Sequence, residues 1–240
     1  MSERALPSAA AARVGILGGM GPLATADLFR KLIDATPATR DRDHIPVLIY
    51  SVPQIPDRTA AILYGGPSPL ADLCQGIRTL EGAGATLIAI ACNTAHYWFT
   101  EMERAAHVPL LHVVDAVLEE LRPLVPRGAT VGILGTSGTV RSDIYDGLLG
   151  RSGYHCIAPV PEVQQRIDDG IALVKAGRTG EAVPHFARGI EELVARGARA
   201  IVLACTEIPL AVDAGKASVP VIDATAALAR HCIRQFSSST

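Results

Sequence analysis

The segment GATLIAIACNTAH (84–96) decides the fold, because GARAIVLACTEIP (197–209) repeats it. In each, a glycine precedes an apolar run that ends in a cysteine, Cys92 or Cys205, followed by polar residues. The runs read as buried strands of a parallel sheet. Open sheets of that kind bind ligands beyond the carboxyl ends of their strands. Both cysteines are delivered to such an end.

The repeat extends along the chain. VGILGGMGPL begins at Val14 and VGILGTSGTV at Val131; VPLLHVVDA begins at Val108 and VPVIDATAA at Val219. With the cysteine segments these give offsets of 117, 113 and 111 residues, in the same order. Strand-like runs such as VLIYS (47–51) alternate with helix-like stretches such as PLATADLFRKLIDA (22–35) and LADLCQGIRTLEGAG (70–84). Gly82 and Gly84 stand where the latter helix should stop. The pattern predicts an α/β protein of two similar lobes. Each is a parallel sheet flanked by helices, related by pseudo-twofold symmetry with the active site between them. The first lobe is expected over 1–115, with 220–240 packing back onto it, and the second over 116–219.

Composition excludes several classes. A net charge of -2 and only 4% aromatic residues give neither the electrostatic footprint nor the stacking platforms of a nucleic-acid binder. The apolar runs fall far short of the roughly 20 residues of a spanning helix, so no membrane is expected. MSERALPSAAAARVG (1–15) lacks a bulky apolar core, so no secretory leader is expected, and the tail SSST (237–240) should fray. Five cysteines without CxxC spacing predict reduced thiols in a cytoplasm and no metal site.

The glycine loops are less specific. GMGPLA (19–24) matches a dinucleotide pattern formally, but no acid closes the next strand to hold a ribose. Gly19 and Met20 in this loop, and Thr136 and Thr139 in GTSGT (135–139), are read as small anion cradles at helix N-termini, suited to a carboxylate. A lone cysteine is more often a small buried hydrophobe than a reactive group, and Cys74, Cys156 and Cys232 keep that reading. Two cysteines at equivalent strand ends are different. Each precedes an expected helix start, where backbone N–H groups favour a thiolate. Two acid/base groups on opposite sides of one carbon are what stereoinversion requires: one thiolate removes a proton and the opposite thiol delivers one. A cysteine hydrolase would want one thiol and a positioned histidine. His96 follows Cys92 by four residues, but Pro209 takes its place in the second lobe.

VGILGGMGPLAT, VPQIPDRT, ACNTAH, GILGTSGT, VKAG and ACTEIP together resemble the cofactor-independent aspartate/glutamate racemase superfamily, and aspartate racemases most of all. The resemblance spans the chain from Val14 to the last helix. It implies inversion of Cα of an acidic amino acid with no cofactor, by Cys92 and Cys205 as catalytic bases, in a homodimer. Arg58 in IPDRT and Lys175 in VKAG match the residues that hold the substrate carboxylates, as a guanidinium fork and a mobile ammonium can. Asn93, Thr94, Thr136, Thr139 and Thr206 become donors to the α-carboxylate and its enediolate-like transition state. Glu207 becomes an acceptor for the substrate ammonium or an acid at a helix start. Glutamate racemases usually open with Asp-Ser-Gly and carry Cys-Thr-His at the second cysteine. GGMG and Cys205-Thr206-Glu207 fit that branch less well. The rival readings are a racemase of glutamate or of a broader amino-acid set, a cysteine-dependent dicarboxylate isomerase, and a non-catalytic amino-acid-binding protein.

Overall fold

The computed structural model describes residues 12–238, without the side chains of Lys216 and Ser238. The leader reading of the first residues falls largely outside that range. Of the tail, Ser237 and Ser238 continue a helix, and the last two residues lie outside. The first half runs β1 (Val14–Gly18), α1 (Pro22–Ala35), β2 (Val47–Ser51), α2 (Arg58–Tyr64), α3 (Leu70–Gly82), β3 (Leu87–Ile90), α4 (Phe99–Ala105), β4 (Leu110–Leu111) and α5 (Val113–Leu121). The second runs β5 (Thr130–Gly135), α6 (Ser137–Val140), α7 (Ile144–Arg151), β6 (His155–Ile157), α8 (Pro161–Lys175), α9 (Thr179–Ala195), β7 (Ala200–Ala204), β8 (Val221–Asp223) and α10 (Ala224–Ser238).

Two four-stranded parallel sheets result, ordered β2-β1-β3-β4 and β6-β5-β7-β8. The equal orders bear out the duplication, and with it the expected α/β class of two similar lobes. Successive strand residues face opposite sides of a sheet, and the core is divided accordingly. Val14, Ile16 and Ala89 of the first sheet, and Val131, Ile133, Val202 and Ala204 of the second, share one apolar cluster with α1, α5, α7 and α10. The alternate residues face outward. Leu17, Ile88 and Ile90 pack under α3, and Leu134, Ile201 and Leu203 under α8 and α9. Cys92 belongs to the first outer cluster and Cys205 to the second. Helix α3 shows why: its buried Leu73, Gly76, Ile77 and Leu80 form one stripe. A Cβ on Gly76 would come within 2.5 Å of Leu17 Cδ1, so the helix lies close on β1.

The lobes are joined through this inner cluster. Helix α10 packs on both α1 and α5, while β8 pairs with β7 in the second sheet. Lys31 on α1 holds Asp27 at 2.5 Å and reaches Asp223, at the end of β8, at 2.6 Å. The Asp27 side chain is only 4% exposed. Breaking a buried ion pair by removing one partner is costly because the other charge stays buried. Arg30 also holds Asp27, at 2.7 Å, so Lys31→Met should lower unfolding free energy by less than a full unpairing would, about 1 to 2 kcal/mol, read as a reduced urea midpoint.

Candidate active site

The central strands β1/β3 and β5/β7 flank the switch points, where the chain leaves neighbouring strands in opposite directions. Four strand-end loops meet there: Gly19–Gly21 after β1, Cys92–Thr94 after β3, Thr136 after β5 and Cys205–Glu207 after β7. They enclose a cavity of about 20 Å³ between the lobes. Its walls include both thiols, with Met20, Arg58, Asn93, Thr94, Thr136, Lys175, Thr206 and Glu207. Gly19 lines instead a wider mouth of about 600 Å³, which shares Met20, Arg58, Lys175 and Glu207 with the inner cavity. Thr139 lies behind the wall, buried, in a triangle of hydroxyls: Thr94 to Thr136 at 3.0 Å, Thr94 to Thr139 at 2.8 Å, and Thr136 to Thr139 at 3.1 Å. Asp57 and Thr59 also line the cavity, although nothing in their sequence context singles them out.

Glu207 organises the second thiol. Its Oε2 accepts from Cys205 Sγ at 3.1 Å and from Thr206 Oγ1 at 3.0 Å, while Oε1 accepts from the Gly21 N–H of the first lobe at 3.2 Å. Burial raises the Cys205 thiol pKa well above its ordinary value, and the Glu207 charge raises it further, with Lys175 pulling it down. The expected helix starts after the cysteines are short 3-10 turns, Thr94–Trp98 and Ile208–Leu210. The first runs directly into α4, whereas the second stands alone and is too short to sum a helix dipole. Desolvation therefore governs Cys205, in the direction opposite to the sequence expectation.

The anion cradles also need correction. The Ser137 N–H donates to Asp168 Oδ1 at 3.0 Å and the Ser137 hydroxyl donates to Asp168 Oδ2. The Gly19 N–H is taken by Thr25 Oγ1 at 2.9 Å, and that of Gly21 by Glu207. Both loops do hold carboxylates, but these belong to the protein, brought in from α8 and from the β7 loop.

Arg58 is 8% exposed and locked to backbone. Its Nη1 donates to Ile55 O at 3.1 Å and Pro56 O at 2.9 Å, and its Nη2 to Met20 O at 3.2 Å. Its buried Nε has no hydrogen-bond partner among the described residues. Tyr145 on α7, which sequence reasoning missed, donates its hydroxyl to Asn93 Oδ1 at 2.6 Å across the lobe boundary. That bond leaves the amide NH₂ of Asn93 as the free donor. Nothing in the α7 sequence marks Tyr145 apart from other core aromatics.

Two buried thiols, a guanidinium, an ammonium and an orienting carboxylate thus share one closed space, which suits proton transfer on a small anionic substrate. The chain belongs to the Asp/Glu/Hydantoin racemase family, whose model matches residues 17–232. It is accordingly an isomerase of the racemase type. It superposes on the Picrophilus torridus aspartate racemase with a TM-score of 0.84, at 34% identity over 94% of each chain. An aspartate racemase homologue from Pyrococcus horikoshii OT3 gives 0.75 at 28% identity, over 94% of this chain and 99% of that one. The broad specificity amino-acid racemase of Bacillus subtilis (strain 168) is 30% identical over 93% of this chain and 97% of its own length.

The causes of the Cys205 shift predict its response to charge removal. Glu207→Gln should move the Cys205 pKa downward, because a source of negative charge is lost while burial is kept. Peptide-resolved alkylation rates against pH would show Cys205 reacting at lower pH in the variant. An unchanged or upward profile would contradict the assignment.

Proposed function

We propose that the protein interconverts L- and D-aspartate by two-base proton transfer at Cα, with Cys92 and Cys205 as the bases and no cofactor. The observation that carries this is the opening of both thiols into one inter-lobe cavity that also holds Arg58 and Lys175. One thiolate removes the Cα proton, and the opposite thiol delivers a proton to the other face. The charge that develops passes into the α-carboxylate, where the Asn93 amide and a hydroxyl of the Thr94–Thr136 pair meet it. Interactions that strengthen only in the transition state raise the rate rather than merely tightening binding.

Arg58 Nε and Lys175 supply donors for the two substrate carboxylates. Thr139 acts through Thr94 and Thr136, and Gly19 and Met20 shape the entrance. Thr206 spends its hydroxyl proton on Glu207. Glu207 in turn holds the proton that Cys205 gives up when it becomes the base, a role its existing hydrogen bond supports better than capture of the substrate ammonium. The same reading makes the protein a cytoplasmic homodimer. The compartment rests on five free cysteines, and the dimer on the likeness to aspartate racemases.

A broader amino-acid range is the second reading. It is favoured by the Bacillus subtilis relative and by the apolar Leu23, Ile55 and Val174 at the mouth, which would suit an uncharged side chain. L-aspartate incubated in deuterated water without added cofactor should lose its Cα–H signal and yield D-aspartate. Either cysteine changed to Ala should abolish racemisation, and full turnover by a single variant would remove the two-thiol mechanism. Arg58→Ala should reduce kcat/KM for aspartate by at least about 100-fold, the scale expected when a charge-assisted contact is lost in a desolvated site. A comparable loss on apolar amino acids would favour the broader reading.

A further inference from the structure

The sequence repeat assigns His96 no role, because the second lobe has Pro209 at the matching position. The structure gives it a definite place. It is 3% exposed, in the turn that follows Cys92. Its Nδ1 lies 2.9 Å from Cys92 O, and its Nε2 lies 3.2 Å from the Val113 N–H. A backbone N–H can only donate, so Nε2 is the acceptor and the ring proton sits on Nδ1, donating to Cys92 O. Burial lowers the His96 pKa, which keeps the ring neutral and this tautomer in place. The ring is stacked on Phe99, with centroids 5.7 Å apart, and His112 meets it edge-on at 5.0 Å. No polar atom of His96 is left for substrate, so it is not a catalytic residue.

We propose that His96 is a positioning residue for Cys92 alone, fastening the carbonyl of the first thiol's residue to the start of α5. Helix α5 lies in the apolar cluster shared by both sheets, so the thiol loop is anchored to the joint between the lobes. The second thiol is held differently, through Glu207 to the Gly21 N–H. The two half-sites therefore have separate supports, and one can be loosened without the other. This rests on the two-thiol reading above.

One-sided loosening has a signature that general damage lacks. With Cα-deuterated substrate, the label leaves to Cys92 from one enantiomer and to Cys205 from the other. Raising only the Cys92 barrier should increase the primary isotope effect on kcat/KM for the first enantiomer and decrease it for the second. His96→Gln can place a carbonyl near Nε2 but loses the donor to Cys92 O. His96→Asn keeps a donor near Nδ1 and loses the acceptor for Val113. The Gln variant should lose between about 10- and 100-fold in kcat, the scale of a small misplacement of a reacting group, with KM little changed. The Asn variant cuts the tether at its Val113 end instead, so it should lose kcat on the same scale and skew the isotope effects the same way. If the Gln variant does not fold, Val113→Pro removes the same anchor at the first position of α5, where proline is tolerated. It should skew the isotope effects the same way. Equal changes for both enantiomers, or none, in folded variants would overturn the proposal. A wild-type protein that exchanges no Cα–H would instead sink the two-thiol reading beneath it.

Discussion

The close approach of the two lobes beside the site depends on residue 138 having no side chain. A Cβ on Gly138 would lie 2.7 Å from Thr59 Oγ1 and 3.0 Å from Thr59 Cα, so α6 of the second lobe rests directly on the start of α2 in the first. The polar bonds across the boundary depend on that approach. Thr94 reaches Thr136 and Thr139, Tyr145 reaches Asn93, and Glu207 reaches the Gly21 N–H. Each of these bonds ends in a strand-end loop that carries or flanks a thiol. The closed cavity follows from backbone proximity first and side-chain chemistry second.

Duplication made the framework symmetric, but the chemistry around the two thiols is not. Cys92 is followed by Asn93 and Thr94, whose side chains, among the described residues, bond only across the boundary, whereas Cys205 is followed by Glu207, which accepts from the thiol, from Thr206 and from the Gly21 N–H of the other lobe. Two like half-sites would serve a symmetric substrate. An α-carbon bearing four different groups presents different surroundings to each face, and unequal half-sites are the expected answer to it.

The fold was legible because parallel strands buried on both faces have little freedom in composition. VGIL, LIAI and AIVLA announce themselves, and their recurrence announces two like sheets, whose equal strand orders the structure then shows. The cysteines, the strand-end threonines and Asn93 were legible for the same reason, since a strand end is a fixed place. Asp168 and Tyr145 were not. They sit on α8 and α7 among residues with ordinary helical spacing, and only tertiary packing brings them to Ser137 and Asn93. The glycine loops show the same limit. Their need for a carboxylate could be read locally, but that the protein supplies its own could not.

The cavity is too small for an amino acid, since about 20 Å³ is little more than the space one water needs. Substrate entry must therefore part the residues common to the cavity and its mouth, namely Met20, Arg58, Lys175 and Glu207 together with Asp57. On the two-thiol reading these are also the groups that handle charge, so access and ionisation are coupled. On that reading the Cys205 proton can pass to Glu207 across their 3.1 Å contact. Moving that proton from sulfur to carboxylate makes a thiolate without changing the net charge of the closed space. Beside Cys92 stand Asn93 and Thr94 instead, and both bond to the other lobe. The substrate therefore meets two different half-sites, one with a carboxylate on its sulfur and one walled by an amide and a hydroxyl, and the cations it must part at the mouth are shared by both.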